Sequence, residues 1–261
     1  MNITNKRGLL DLAAAFFLIM FFATNALSLT SEISPARISI TSLYHGGKLV
    51  VTGETVPDEE IIVKFSSPES KFDLRKKGKA GGLFWMNIGE LEFNRVSDVY
   101  LLYATKEIGS ILSDKQQDQY SLGYDAFRRL VEVSPVTSEP DKVKWIKEFI
   151  KFKEKNGIYG IFTSGIETEI KDNKKIYKLS IDWPYQAPPR EYTVSVYSVK
   201  DNAVQDYNET PLLVEKVGAL KFISNMAFNN ASVYGIVSIL IAIAAGFIVS
   251  VIFKGGGGGS H

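Results

Sequence analysis

The stretch from Val233 to Phe253 constrains this chain more than any other, because it runs for 21 residues without a charge. A helix of that length spans ~30 Å, the thickness of a bilayer's hydrocarbon core. Lys254 follows at once, a stop-transfer pattern that places the C-terminal end on the cytoplasmic side. The rest of the chain is then expected to be a body held to a membrane at one end.

The N-terminus supports an exported body. Lys6 and Arg7 precede the apolar run Gly8 to Phe22, in which only Asp11 is charged. The small residues from Ala23 to Ser28 suit signal-peptidase cleavage after Ser28 or after Ala26. An uncleaved anchor is the alternative, although the apolar core is short for a span of ~20 residues. Residues 255–261, GGGGGSH, read as a linker running into an affinity tag and are set apart from the fold.

Charge is balanced, with 30 Lys and Arg against 29 Asp and Glu, so no basic stripe suggests a nucleic-acid partner. Cysteine is absent, which excludes disulfides, thiolate metal sites and thiol catalysis. His45 is the one histidine outside the tail.

Between the two ends the pattern is mainly that of strands. Ile38 and Ile40 alternate with polar neighbours, and Gly46-Gly47 precedes Leu49-Val50-Val51. Further runs are Ile61 to Phe65, Phe72 with Leu74, Leu83 to Ile88, Leu91 to Phe93, and Val99 to Tyr103. Tyr120, Tyr124, Phe127 and Val131 then recur at helical spacing. After Pro135 a second helix is expected, with Ser138 as N-cap, Asp141 three residues on, and an apolar stripe of Val143, Ile146, Phe149 and Ile150. Asn156-Gly157 stops it. Strand signals return from Ile158 to Val217, with Asp172-Asn173 and Asp201-Asn202 as hairpin turns.

The expected fold is an Ig-like antiparallel β-sandwich, in one or two regions, with a two-helix insertion and one C-terminal transmembrane helix. The expected boundaries are a signal peptide at 1–28, a β region at 29–106, the helical insertion at 107–157 and a second β region at 158–218. A juxtamembrane segment at 219–232 and the span at 233–254 follow.

Catalysis finds little purchase. His45 lies in the turn Tyr44-His45-Gly46-Gly47, without a second histidine or a cysteine to join it. A serine nucleophile needs a positioned base, and no Gly-x-Ser-x-Gly elbow is present. Gly78 to Gly82 lacks phosphate-loop spacing. No enzymatic activity, cofactor or metal is therefore expected.

Three other groups of residues stand out. Arg75, Lys76, Lys77 and Lys79 would attract an anionic solute or lipid headgroups, or else simply keep a hairpin tip in water. Trp85 and Asn87 share a face if Phe84 to Ile88 is a strand, and could wall a ligand pocket; the alternative is a tryptophan that anchors the sandwich core. Ser238, Ala242, Gly246 and Ser250 form a row of small side chains on the membrane helix, suited to close contact with another helix.

Several blocks carry a resemblance: Ile38 to Thr41, Lys48 to Gly53, Leu83 to Asn87 followed by Tyr100 to Ala104, Pro211 to Gly218, and Tyr234-Gly235. On these residues the chain, from about Ile38 to Lys254, resembles the alphaproteobacterial putative transmembrane protein family (Alph_Pro_TM). The resemblance implies a signal sequence, a periplasmic β-rich region with a helical middle, and one C-terminal helix in the bacterial inner membrane. It carries over no catalytic residues. Members tend to be encoded beside sulfite-exporter (TauE/SafE-type) permeases, which implies an accessory subunit of an anion transporter, with a permease or a second copy as partner of the membrane helix. A stand-alone anchored module that binds a small anion or an envelope ligand is the other expectation.

Overall fold

The computed structural model describes residues 28–80 and 83–254, so the expected signal-peptide cleavage and the tail at 255–261 lie outside the described residues. The first strands are β1 (Glu32–Ser34), β2 (Arg37–Ile40), β3 (Gly47–Thr55) and β4 (Glu60–Ser66). A long hairpin follows, β5 (Ser70–Ala80) and β6 (Phe84–Val96), and then β7 (Tyr100–Ala104). Helices α1 (Ile108–Ile111), α2 (Asp114–Tyr120) and α3 (Tyr124–Leu130) come next, then β8 (Glu132–Ser134) and α4 (Glu139–Lys155). The chain returns to strands with β9 (Tyr159–Phe162), β10 (Ile166–Lys171), β11 (Lys174–Trp183), β12 (Glu191–Lys200) and β13 (Ala203–Lys216). It ends in α5 (Gly218–Asn229) and α6 (Ala231–Lys254).

The strands form three sheets, ordered β1-β3-β11-β10, β2-β13-β12-β4-β7-β9 and β5-β6-β8. The first two face each other. Leu49, Val51, Leu179 and Ile181 from one join Ile61, Val63, Phe65, Val194 and Val196 from the other in one buried cluster. Trp183 of β11 meets Phe65 at 6.1 Å and Tyr192 at 4.9 Å across this interface. Alternation explains the placement of β11, whose Tyr177, Leu179, Ile181 and Trp183 are buried while the residues between them are not. The strand β12 is buried on both faces because the helices cover its outer side, where Tyr120 packs on Tyr197 at 5.4 Å. Both expected hairpin turns are present. Asp172, Asn173, Asp201 and Asn202 all have positive φ, as a two-residue type I′ turn requires.

The fold is mainly β, as expected, but several details differ. The two expected β regions are one body, since β3 pairs with β11 and β4 with β12. The large sheet is not purely antiparallel, because β7 pairs with β9 and β13 with β2 in parallel. A parallel neighbour needs a crossover, and for β7 to β9 the helical segment supplies it. That segment holds four helices and a strand instead of two helices. The row Tyr120, Tyr124, Phe127 and Val131 is broken where Ser121 and Gly123 take positive φ. On α4 the cap at Ser138 holds, but Val143 is 50% exposed and Lys153 takes the fourth buried place beside Ile146, Phe149 and Ile150. Leu83 to Ile88 and Leu91 to Phe93, read as separate runs, fall from Phe84 onward in the single long strand β6.

One end of this sandwich is fixed by the membrane helix. β13 leaves it at Lys216, where Val217 N–H donates to the Ile40 carbonyl at 3.0 Å. A Lys221–Glu215 ion pair at 3.3 Å and a Lys216–Ser224 hydrogen bond at 3.1 Å dock α5 there. The pairings Glu191 with Leu213, Ser66 with Thr193, Tyr100 with Ser66, and Tyr159 with Tyr100 carry the same end across the sheet. Both roots of the β5–β6 hairpin, after Ser66 and before Tyr100, therefore lie at the end from which the membrane helix departs. So does the junction of α4 with β9.

Candidate functional site

Apolar residues on β5 and β6 hold the hairpin to α4. Phe72 pairs in register with Phe93, and Leu74 with Leu91. Directly opposed residues share a face, and this face receives α4. Phe149 stacks on Phe93 at 4.6 Å and meets Phe72 at 5.7 Å, Phe127 at 6.4 Å and Tyr159 at 5.8 Å. Short strand β8 pairs with Glu92 to Asn94 and completes the small sheet.

Lys153, only 2% exposed, lies inside this aromatic group. Its Nζ is 3.9 Å from the centre of the Phe72 ring, 5.4 Å from Phe149 and 5.7 Å from Tyr159. Burial pushes its pKa down, and the Asp98 carboxylate partly offsets this. The ring faces stabilise the cation.

The basic residues continue towards the tip. Lys76 lies over the Trp145 ring of α4 at 4.9 Å, and Arg75 faces Glu90 at 3.7 Å. A cleft of about 180 Å³ opens between the two elements, lined by Arg75, Lys76, Lys77, Trp145, Glu148 and Phe152. The elements β5, β6 and α4 hold twelve of the chain's 30 Lys and Arg but only seven of its 29 Asp and Glu. The near-neutral total thus hides a basic unit rooted at the end of the body that the membrane helix leaves.

Register brings together two groups that the sequence offered separately, since Lys77 stands opposite Asn87 and Lys79 opposite Trp85. A bulge makes this so. Lys76 pairs with Gly89 but Lys77 with Asn87, leaving Ile88 as the extra residue. Past the bulge the face carrying Phe93 and Leu91 continues as Met86 and Phe84, the partners of Gly78 and Ala80. Asn87 is exposed, the side chain of Trp85 lies outside the described residues, and Trp183, 1% exposed, is a tryptophan that anchors the core.

A second polar pocket, about 140 Å³, sits at the hairpin root between Lys64, Ser67, Arg95, Ser97, Tyr100 and Ser121. Lys64 Nζ donates to the Tyr120 carbonyl at 2.7 Å. Burial pushes its pKa down to about 8, against a smaller opposing effect of Glu209. The Tyr100 hydroxyl donates to the Ser121 carbonyl at 2.9 Å and accepts from Gly123 N–H at 2.9 Å. These groups are committed to holding α2 and α3 on the sheet.

The sequence reading passed over Lys64, Trp145 and Lys153. A signal existed for two of them. Lys64 interrupts the apolar run Ile61 to Phe65, and Lys153 falls three and four positions after Ile150 and Phe149 in the buried stripe. His45 is exposed in the loop between β2 and β3. Among the described residues no group of three or more His, Asp and Glu could hold a metal ion.

On α6, Ser238, Ala242, Gly246 and Ser250 lie on a helix whose membrane-spanning stretch is unburied among the described residues. Ser238 Oγ turns back to the Tyr234 carbonyl at 2.7 Å, and a Cβ added at Gly246 would meet nothing within 4 Å. Among the described residues, the close approach that this row permits is thus not used. Ala231–Phe253 is the one helix among the described residues with the length and composition to cross a membrane.

A search of curated proteins found no match. The family described as "Putative transmembrane protein (Alph_Pro_TM)" matches residues 28–255, the whole β body and the membrane helix. With one apolar helix of membrane-spanning length among the described residues and a mainly β body, the chain is a membrane protein that belongs to this family.

Proposed function

We propose that this chain is a non-enzymatic accessory subunit of a multi-span membrane transporter in the bacterial inner membrane. Its α6 docks against the partner, and its body sits on the periplasmic face over the mouth of the permease. The observation that carries the reading is the segregation of charge. The basic hairpin unit and the membrane helix leave the sandwich at the same end, which supports a reading in which the cations work near the bilayer surface. Such a field concentrates anions at that surface, as an exporter of sulfite or organosulfonate class would require. The exposed small-residue row on α6 gives the docking helix a face for close packing.

The test is co-purification of the full chain in mild detergent through its C-terminal end. A multi-span partner is expected in the eluate. Gly246→Leu should lower its recovery by roughly tenfold, about 1.4 kcal/mol of helix packing, and Ile243→Ala should leave it unchanged. Recovery of the partner by Gly246→Leu at the wild-type level would refute docking through this row.

A second reading, a stand-alone anchored module for a small anion, is favoured by the cleft that Arg75, Lys76 and Lys77 line beside Trp145. It predicts that the purified chain, without any partner, binds sulfite or a sulfonate, and that Lys76→Gln weakens this binding.

A further inference from the structure

The apolar face of the hairpin runs further than its cover. From Phe72 and Phe93 to Leu74 and Leu91 it lies under α4, with Leu91 6% exposed and Phe93 fully buried. Past the contact of Lys76 with Trp145 the same face stays open. Met86 is 52% exposed, Phe84 75% and Leu83 79%. The bulge at Ile88 is what turns Met86 and Phe84 onto this face. Large apolar side chains near the end of a hairpin, with Arg75, Lys76 and Lys77 on their root side and Lys79 beside them, call for an occupant.

Three observations select the bilayer. The body is already held on a membrane by α6, so lipid is present at high local concentration. Both hairpin roots lie at the end of the sandwich that α5 joins to the membrane, so the hairpin starts on the bilayer side. Reach is sufficient: the 13 residues of β6 extend ~43 Å at ~3.3 Å each, whereas the 12 of α5 span ~18 Å. The tip can therefore meet the bilayer surface even from a strong tilt. The chemistry matches the depth profile of a membrane interface. Aromatic and aliphatic side chains sit lowest, with Lys76 and Lys77 a few residues above, where anionic phosphates lie.

We propose that the β5–β6 tip is a second membrane attachment, an interfacial finger that places Leu83, Phe84 and Met86 below the headgroups of an anionic bilayer while Lys77 and its neighbours engage the phosphates. It does not depend on a transporter partner. It would change the body from a freely swinging tether into a platform of fixed tilt, with α6 and the finger as its two supports. The aromatic group around Phe149 and Lys153 would then set the angle of the finger.

The absence of cysteine from the chain allows a direct test. The full chain with Met86→Cys carries an environment-sensitive fluorophore and is reconstituted alone into bilayers of mixed zwitterionic and anionic lipid. The same label at Ile170→Cys is the control, because Ile170 is 66% exposed and lies at the opposite end of the sandwich, opposite Lys175, which pairs with Thr55. The label at 86 should shift to the blue and be quenched by nitroxides on the lipid chains, and the label at 170 should do neither. Adding Phe84→Glu should abolish the quenching without lowering the melting temperature, since Phe84 packs against nothing that the fold needs. Lys77→Gln should lower the inserted fraction about fivefold where insertion is incomplete, and replacing the anionic lipid by zwitterionic lipid should do the same. A label at 86 as water-exposed as that at 170 would overturn the proposal. So would protection of the label that arises only when a co-purified membrane protein is added, which would assign the tip to a protein partner.

Discussion

The sandwich and the hairpin unit bury themselves by different chemistry. The sandwich is closed by two sheets whose aliphatic rows interdigitate, with Phe65, Trp183 and Tyr192 at its membrane end. The hairpin unit is one small sheet against one helix, with Phe149 and its ring neighbours at the contact between them. Two sheets can distribute their contacts over many strands. A hairpin held by one helix has a smaller contact surface, and Leu83, Phe84 and Met86 near its far end stay exposed. The contrast implies a rigid body and a unit that can open locally while the body stays folded.

The largest effect should come from breaking the body. Phe65→Ala removes a fully buried ring from the sheet interface and is expected to cost ~3–5 kcal/mol. Denaturant titration should show one earlier transition, with hairpin and sandwich amides losing protection together. If the hairpin lost protection first, the body would not be the cooperative core.

Phe149→Ala is the converse. It should cost about 3 kcal/mol, concentrated in β5, β6 and α4. Hydrogen exchange should accelerate there and remain slow in β12, which is buried on both faces. Equal acceleration in β12 would mean that the two regions fold as a single unit.

Lys64 sharpens the comparison from inside the body. Its folded pKa of about 8 lies below the ordinary 10.5, so the unfolded chain holds the extra proton between these values. Stability should then rise as pH goes from about 8 to about 10.5, and the cost of the buried charge should be complete below 8. The shift corresponds to ~3 kcal/mol at most. Lys64→Met should flatten this pH dependence and add about 2 kcal/mol at neutral pH, once the lost hydrogen bond to Tyr120 is counted. An unchanged slope would show that the ammonium is hydrated in its pocket.

The smallest effect is at the helix cap. Ser138 Oγ accepts from Asp141 N–H at 3.3 Å and donates to the Asp141 carboxylate at 2.8 Å. Ser138→Ala should cost ~1 kcal/mol, read as faster exchange at the start of α4 with the sandwich unaffected.

Local rules in the sequence determined much of this protein. An uncharged run long enough to span a bilayer set α6, because hydrocarbon leaves a chain few options. Alternation at Tyr177, Leu179 and Ile181, the Asp-Asn turns and the Ser138 cap were legible because each depends on residues a few positions apart. Tertiary structure alone decided what depends on distant partners. Nothing near Leu49 says that β11, more than a hundred residues later, will be its neighbour, so the two β regions could not be joined from the sequence. Val143 and Lys153 both fit the stripe of α4, and only the position of the hairpin decided that the valine faces water and the lysine the rings. The cations at Arg75 to Lys79 and the pair Trp85 and Asn87 were each visible as sequence. That they stand across one ladder, on a hairpin rooted at the end of the body that the membrane helix leaves, follows from a single-residue bulge and from where the strands enter the sheet, and spacing along the chain encodes neither.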